Sequence, residues 1–407
     1  MKLSLQTQNK TTKTAETMTY QDSEYVQLPV PEGIYDLNVG QPSPQLLPMD
    51  LLYSADNTHI SDPTFLQYGN QQGYLTFRKA VGSFLSAETG DAVSADELLI
   101  TAGNSGAILL IGTRIAAESK TRPLAIVESP TYQWAVNVLE GCGFDIMTVP
   151  VDDEGMVVDE VERLVVEENA RPALVLTIPS HQNPTSVTLS TPRRQKLIQL
   201  AIDHDFKILA DEAYQLLSFP DGRVDSSLAT SDTTEQGVVL TIGTFSKIFA
   251  PALRLGWVQA NPHLIAWLVK HPLLVSGGGL NPIMAGWLEP VITDGSLETW
   301  LAGLRKELFD RYVCLRNALQ TKLPQIEMVT TPQGGYYIWC RLPAHMDSEA
   351  LRVLAFDKYK VNFRPGIQCN TSPDYLRLCF AFHTSEEIEQ AIDLLASAYD
   401  EYANGLA

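Results

Sequence analysis

The stretch VVLTIGTFSKIFAPALRLGWVQA, residues 238–260, holds two short apolar runs, VVLTI (238–242) and LGWVQA (255–260), on either side of a loop rich in small and hydroxyl residues. Each run is hydrophobic on both faces, as a strand is when helices cover both sides of its sheet. Working outward, similar runs recur at KILAD (207–211), ALVLTI (173–178), LAIVE (124–128) and ELLIT (97–101). Amphipathic stretches such as TPRRQKLIQLAIDHD (191–205) lie between several of them. The alternation predicts an α/β fold with a doubly wound, mostly parallel sheet in which all six runs are parallel strands.

At 407 residues the chain exceeds the size at which one hydrophobic core stops growing, so two domains are expected. A long helical pattern around 295–322 leads into a different style, where YYIWCRL (336–342), VNFRPG (361–366) and YLRLCFAF (375–382) read as strands of a smaller C-terminal α+β domain. The helix SEEIEQAIDLLASAYDEYA (385–403) closes it. The expected boundaries are a mobile polar arm at 1–34, a segment broken by Pro42, Pro44 and Pro48 at 35–59, a large domain at 60–290 and a small one at 291–407.

With 29 basic against 48 acidic residues the formal charge is −19, which repels phosphate backbones, so no nucleic-acid partner is expected. Five cysteines without a CxxC pair read as reduced thiols. The N-terminus carries no apolar signal stretch and no segment is long enough to span a bilayer, so a cytoplasmic protein without a membrane partner is expected.

In open α/β sheets ligands bind at the carboxyl ends of the strands. Three such ends here carry suggestive residues. LLITAGNSGAILLIG (98–112) reads as a strand, a turn Gly103-Asn104-Ser105-Gly106, and a helix from about Ala107; backbone N–H groups and the Ser105 hydroxyl could cradle a phosphate there. Alone, such a turn is usually only a turn. KILADEAY (207–214) ends a strand on Asp211 with Tyr214 following, and a lone strand-terminal Asp is usually a cap. TIGTFSKIFAPALRLGW (241–257) sets Thr244, Ser246, Lys247 and Arg254 after a third strand. Together the three suit pyridoxal 5′-phosphate (PLP), which needs a lysine for its Schiff base, a carboxylate facing the pyridine nitrogen and anion-binding groups for its phosphate. An ionised Asp211 would keep the ring nitrogen protonated, and the Arg254 fork with the Thr244 and Ser246 hydroxyls would meet the phosphate. No metal site is expected.

At these residues the sequence resembles the class I/II aminotransferases of PLP fold type I, from about residue 35 to the C-terminus. GTFSKIFAPALRLGW (243–257) is similar to that family's lysine motif and DEAY (211–214) to its Asp-x-x-Tyr motif. The resemblance implies that Lys247, Asp211 and Tyr214 are catalytic, with Tyr214 at the cofactor's phenolic oxygen. PSHQNPT (179–185) implies the same oxygen as a partner of Asn183, and VESPTY (127–132) implies Tyr132 stacked on the ring. It implies Asn104, Ser105 and Gly106 at the cofactor as well. YLRLCFAF looks like the strand whose arginine, Arg377, binds the substrate α-carboxylate, with Asn183 and Gly40 of NVGQPSP (38–44) nearby.

LQYGNQQGYLTFRKAV (66–81) and LVSGGGLNP (274–282) look most like a branch that contains 2-aminoadipate and kynurenine-type aminotransferases and the aminotransferase-like domain of MocR-type regulators. It implies a homodimer with shared active sites, in which Tyr68 reaches the PLP phosphate of the neighbouring subunit. Two departures stand out: Ser186 replaces the usual glycine after Asn-Pro-Thr, and His181 precedes Gln182, where a hydrogen-bonded structural histidine is expected.

The implied activity is transfer of the amino group of an L-amino acid to a 2-oxo acid, expected to be 2-oxoglutarate, by ping-pong chemistry at Lys247. Another PLP reaction on an amino acid (decarboxylation, elimination or oxidation) would use the same residues, since the fold does not fix the reaction. A regulator would need a DNA-binding domain upstream. Trp134, Tyr53 and residues 20–30 are candidates for the side-chain pocket, and nothing in the sequence selects one amino acid.

Overall fold

The computed structural model describes residues 33–54 and 67–406, apart from Asp221, Arg223 and Gln236. The arm expected at 1–34, except for its last two residues, lies outside the described residues, as do residues 20–30 and the Tyr53 side chain. After a two-residue strand, β1 (Tyr35–Asp36), eight strands build the main sheet. They are β2 (Leu98–Thr101), β3 (Leu124–Ser129), β4 (Asp145–Asp152), β5 (Gly155–Met156), β6 (Pro172–Thr177), β7 (Lys207–Asp211), β8 (Val239–Thr244) and β9 (Gly256–Ala260), in the spatial order β2-β9-β8-β7-β6-β3-β4-β5.

The strands β4, β3, β6, β7 and β8 pair in parallel. LGWVQA does not follow them: β9 runs antiparallel to both of its neighbours, β2 and β8. The residues between β8 and β9 are too few for the helical crossover that a parallel pair requires. The strand β4 was not anticipated at all. It lies next to the sheet edge and is largely exposed, so its sequence lacks a continuous apolar run.

The two-residue period of the strands divides the core. Leu99, Val127, Leu174, Leu176, Leu209 and Leu240 pack on one face against the helices Gly103–Glu118, Gln133–Gly141 and Pro262–Leu268. Ile126, Val175, Ile208 and Val239 pack on the other against the helices Val158–Val166 and Thr191–His204. Each such side chain taken fully out of water contributes roughly 1.5–3 kcal/mol before entropy is counted. This two-sided burial explains why the runs are apolar throughout.

The C-terminal part contributes β10 (Glu327–Met328), β11 (Tyr337–Arg341), β12 (Val361–Asn362), β13 (Arg364–Pro365) and β14 (Tyr375–Cys379). An antiparallel sheet in the order β10-β11-β14-β13 packs with the long helices Ser296–Lys322 and Ser385–Leu406. VNFRPG is not one strand: β12 leaves that sheet and pairs in parallel with β1. YLRLCFAF stops as a strand at Cys379, whose N–H donates to the Leu37 carbonyl. Residues 36–47 are thereby tied beside Arg377 and over the edge of the main sheet.

Candidate active site

Because β2, β3, β6, β7 and β8 point the same way, their carboxyl ends share one edge, and the loops that follow carry most of the expected site residues. The reversed direction of β9 matters here. Its first residue, Gly256, faces both Thr101 and Thr244, so Arg254, two positions earlier, reaches that same edge. Asn104, Ser105, Tyr132, Asn183, Asp211, Tyr214, Thr244, Ser246, Lys247 and Arg254 line one cavity of about 760 Å³. A larger cleft of about 1120 Å³, between residues 45–51 and 294–311, holds none of them.

At one end of the cavity, groups suited to an anion converge. The helix starts at Gly103 rather than near Ala107, so Asn104, Ser105 and Gly106 form its first turn, where backbone N–H groups have no i−4 carbonyl. Gly103 has φ +77°, and a Cβ there would meet the Arg254 guanidinium at 3.1–3.5 Å. Glycine is what lets the backbone and that guanidinium approach. Arg254 donates from Nη1 to Ser246 Oγ at 3.3 Å, and the Ser246 N–H donates to Thr244 Oγ1 at 3.0 Å.

Deeper in the sheet, Asp211 Oδ1 accepts from Asn104 Nδ2 at 2.5 Å. Burial pushes its pKa up to about 6, against the opposing pull of the Asn104 hydrogen bond, the Ala213 N–H and the Lys247 charge. Burial also raises the neighbouring Glu128 to about 7, although Thr177, Gln182 and the Ile178 N–H hydrogen-bond to it. Lys247 Nζ donates to the Gly40 carbonyl at 2.6 Å, which brings Gly40 to the site although it does not line the cavity.

Arg377 sits behind Asn183 and is 1% exposed. It donates from Nη1 to Asn183 Oδ1 at 2.7 Å and from Nη2 to the Asn38 carbonyl at 2.8 Å. Its guanidinium lies 4.1 Å from the Tyr337 ring centre. Tyr68, expected at a neighbouring subunit's site, lies outside this chain's cavity: it is 86% exposed, in a separate surface hollow with Gly277 and Gly279. Trp134 does not line the cavity either. It opens the helix Gln133–Gly141 on its outer side, half exposed, while Tyr132 just before it turns inward. His181 also stays out of the cavity, bonded through Nε2 to Ser218 Oγ at 3.0 Å. Burial and the charges of Arg194 and Arg305 lower its pKa to about 4.

Several contributors were not anticipated. Gln41 and Leu47 line the cavity, and Tyr336 and Tyr337 surround Lys247 and Tyr214 from behind. Their signal was faint: two tyrosines after Gly334-Gly335, read only as the start of a strand.

The residues fit PLP. The cavity offers an amine on Lys247, a buried carboxylate on Asp211, and a cradle of N–H groups, hydroxyls and a guanidinium of phosphate size. Such a set suits a PLP-dependent enzyme. The chain belongs to the family "Aminotransferase class I and II", which matches residues 32–395. It is 29% identical to the aromatic-amino-acid aminotransferase 1 of Thermococcus litoralis, over 93% of this chain and 91% of that protein. The HTH-type transcriptional regulator YdfD of Bacillus subtilis is 25% identical over 91% of this chain and 75% of the regulator. A crystal structure of the Pyrococcus horikoshii kynurenine aminotransferase, in complex with PMP, superposes with a TM-score of 0.81 at 28% identity, over 91% of this chain and 92% of that one. The protein is accordingly a PLP-dependent aminotransferase of fold type I, and PLP is its cofactor.

Proposed function

We propose that the protein transfers the amino group of an L-amino acid to a 2-oxo acid, with 2-oxoglutarate as acceptor, in a ping-pong cycle centred on Lys247. The observation that carries this reading is the meeting of Lys247, Asp211 and Arg254 in one cavity, from three separate strand ends. Bound PLP supplies a cationic ring that takes up the electron pair left when the substrate Cα–H bond breaks. Lys247 would hold the cofactor through Nζ, and its amine, when free, would be the base placed to take and return the substrate's α-proton. Asp211 holds the proton on the ring nitrogen. Ser105, Gly106, Thr244, Ser246 and Arg254 hold the phosphate, Asn104 steadies Asp211, and Tyr132 stacks on the ring.

Tyr214 and Asn183 donate to the phenolic oxygen. For Asn183 this is consistent with its bonding, since Oδ1 is engaged by Arg377 and Nδ2 is the end left to donate. Arg377, beside Asn183 and Gly40, receives the substrate α-carboxylate as a bidentate fork. In this reading the segment 35–59 packs near the active site, 60–290 is the large PLP-binding domain and 291–407 the small domain that brings Arg377. Two copies share their sites through Tyr68, and the five free thiols suit a reducing cytosol.

The test has two parts. Borohydride reduction of the yellow holoprotein followed by peptide mapping should place the adduct on Lys247. Incubation with a panel of amino acids and 2-oxoglutarate should give the 2-oxo acid and glutamate by mass. An adduct on another lysine, or release of CO₂ or ammonia in place of glutamate, would reject the transamination reading.

A further inference from the structure

Tyr337 occupies a place in the site that none of the roles above uses. The chain reaches it through Gly334 and Gly335: a Cβ on Gly334 would meet the His181 ring at 2.6 Å, and Gly335 has φ +75°. Three contacts then fix Tyr337. Its carbonyl accepts from Ser186 Oγ at 2.7 Å, so the residue that stands where a glycine is usual supplies a tether. Its ring lies under the Arg377 guanidinium at 4.1 Å. Its hydroxyl is 2.9 Å from that of Tyr214, and the two rings meet edge to face at 5.7 Å.

We propose that Tyr337 is a positioning residue that serves both ends of the site: its hydroxyl donates to the Tyr214 oxygen, and its ring seats Arg377. This rests on the role given above to Tyr214 at the cofactor's phenolic oxygen. Each tyrosine hydroxyl has one proton to give. If Tyr214 gave its proton to Tyr337, none would remain for the cofactor. A hydrogen bond to a negatively charged oxygen is roughly twice as strong as one between neutral groups. With PLP bound, Tyr214 therefore donates to the charged phenolic oxygen and accepts from Tyr337. A donor behind Tyr214 polarises its O–H bond and strengthens that donation by ~10–30%. Ser186 and Arg377 hold the Tyr337 backbone and ring so that this orientation needs no further ordering when the cofactor arrives.

The experiment is a pH titration of the visible absorbance of the PLP-loaded protein, for the wild type, Tyr337→Phe, Tyr214→Phe and the double variant. The band changes when the nitrogen linking Lys247 to the cofactor loses its proton, which leaves the phenolic oxygen's negative charge less compensated. Donation to that oxygen eases the loss, so removing a donor raises the midpoint. Tyr214→Phe should raise it by about one pH unit, and Tyr337→Phe by roughly 0.1–0.3. In the Tyr214→Phe background, Tyr337→Phe should add nothing, because its effect passes through Tyr214. A merely structural tyrosine would not produce that dependence. Tyr337→Phe keeps the ring under Arg377 and should leave KM for the amino acid unchanged, whereas Tyr337→Leu should raise it about tenfold. A Tyr214→Phe shift without any Tyr337→Phe shift, or an equal Tyr337→Phe shift in both backgrounds, would overturn the proposal and leave the Tyr214 role standing. No shift with Tyr214→Phe would remove the Tyr214 role and the proposal with it.

Discussion

Replacing Arg377 by lysine separates a carboxylate fork from an ordinary arginine on a strand. The same sheet supplies the comparison. Arg341 on β11 has a side chain 45% exposed and pairs with Asp374 at 2.7 Å, which is the surface arrangement. Arg377 is buried, holds Asn183 Oδ1 and the Asn38 carbonyl from two different nitrogens, and covers the Tyr337 ring. A lysine ammonium reaches one of those two acceptors and leaves the other buried without its donor. Loss of a charge-assisted hydrogen bond costs about 1.5–3 kcal/mol, and the weakened ring contact adds about 0.5–1. Arg377→Lys should therefore destabilise the PLP-free protein by about 2–4 kcal/mol in urea denaturation, while Arg341→Lys should stay within about 0.5 kcal/mol.

The catalytic effect is separable. Lysine keeps the charge and loses the paired geometry, so kcat/KM for every α-amino acid should fall by roughly a hundredfold or more. The affinity for PLP should hardly change, since the groups assigned to the phosphate, ring and phenolic oxygen do not include Arg377. Two results would refute the reasoning. One is an Arg377→Lys enzyme with wild-type kcat/KM despite its lower stability. The other is a wild-type enzyme on which simple amines react as well as amino acids.

Asp211→Asn should retain PLP but slow α-proton removal about a thousandfold in single-turnover stopped flow, because an amide cannot hold the ring nitrogen protonated; an unchanged rate would clear Asp211 of that role. Glu128 gives a pH prediction of definite sign. Its folded-state pKa of about 7 lies above the ordinary 4.5, so the folded protein holds this proton more tightly than the unfolded chain. Stability present below about pH 4.5 is then lost as pH rises towards 7, by about 3 kcal/mol from this group. Glu128→Gln, neutral throughout, should flatten the fall in denaturation midpoint between pH 5 and 7, and an unaltered slope would count against it. For the shared dimer site, mixing Tyr68→Ala subunits with Lys247→Ala subunits should restore activity through hybrids with one intact site. No recovery despite subunit exchange shown by mass would reject the sharing.

The sequence made the site more legible than the path of the chain through it. Lys247, Asp211 and Arg254, singled out because the cofactor's chemistry restricts residue type and strand ends restrict place, do line one cavity; Asn183, which lines it too, was indicated only by the family resemblance. The strands covered on both faces were readable for the same kind of reason: burial on two sides leaves no polar positions. Where burial is partial the signal fades, as at β4, which lies beside the sheet edge. Strand direction was not in the hydrophobic pattern of LGWVQA, although the short connection before it held the answer. Trp134 is not among the cavity's lining residues because it lies on the exposed side of its helix, and composition does not register which side a helical residue faces. The Tyr337–Tyr214 contact joins residues 123 positions apart, a relation that no local window contains.

The cofactor end and the substrate end of the site belong to different sheets, and this has a mechanistic consequence. Lys247, Asp211 and Arg254 are fixed by strands of the main sheet, whose pairing does not involve the C-terminal strands. Arg377 is fixed by β14, and through it by β11 and β13. The links that cross near the site include Arg377 to Asn183, Ser186 to the Tyr337 carbonyl, Tyr337 to Tyr214, and the Tyr336 hydroxyl to the Lys247 carbonyl, while the Gly40 carbonyl meets the Lys247 amine. In the proposed reading, alignment of the substrate would depend on the distance from the Arg377 guanidinium to the Lys247 amine. That distance is set by these cross-links and by the packing of the two sheets, not by either sheet alone. Loosening a cross-link should therefore misalign the substrate without releasing the cofactor, lowering kcat/KM while the visible spectrum persists. Loosening the main sheet should instead release PLP first. The order in which spectrum and activity are lost during mild urea titration reports which of the two has yielded.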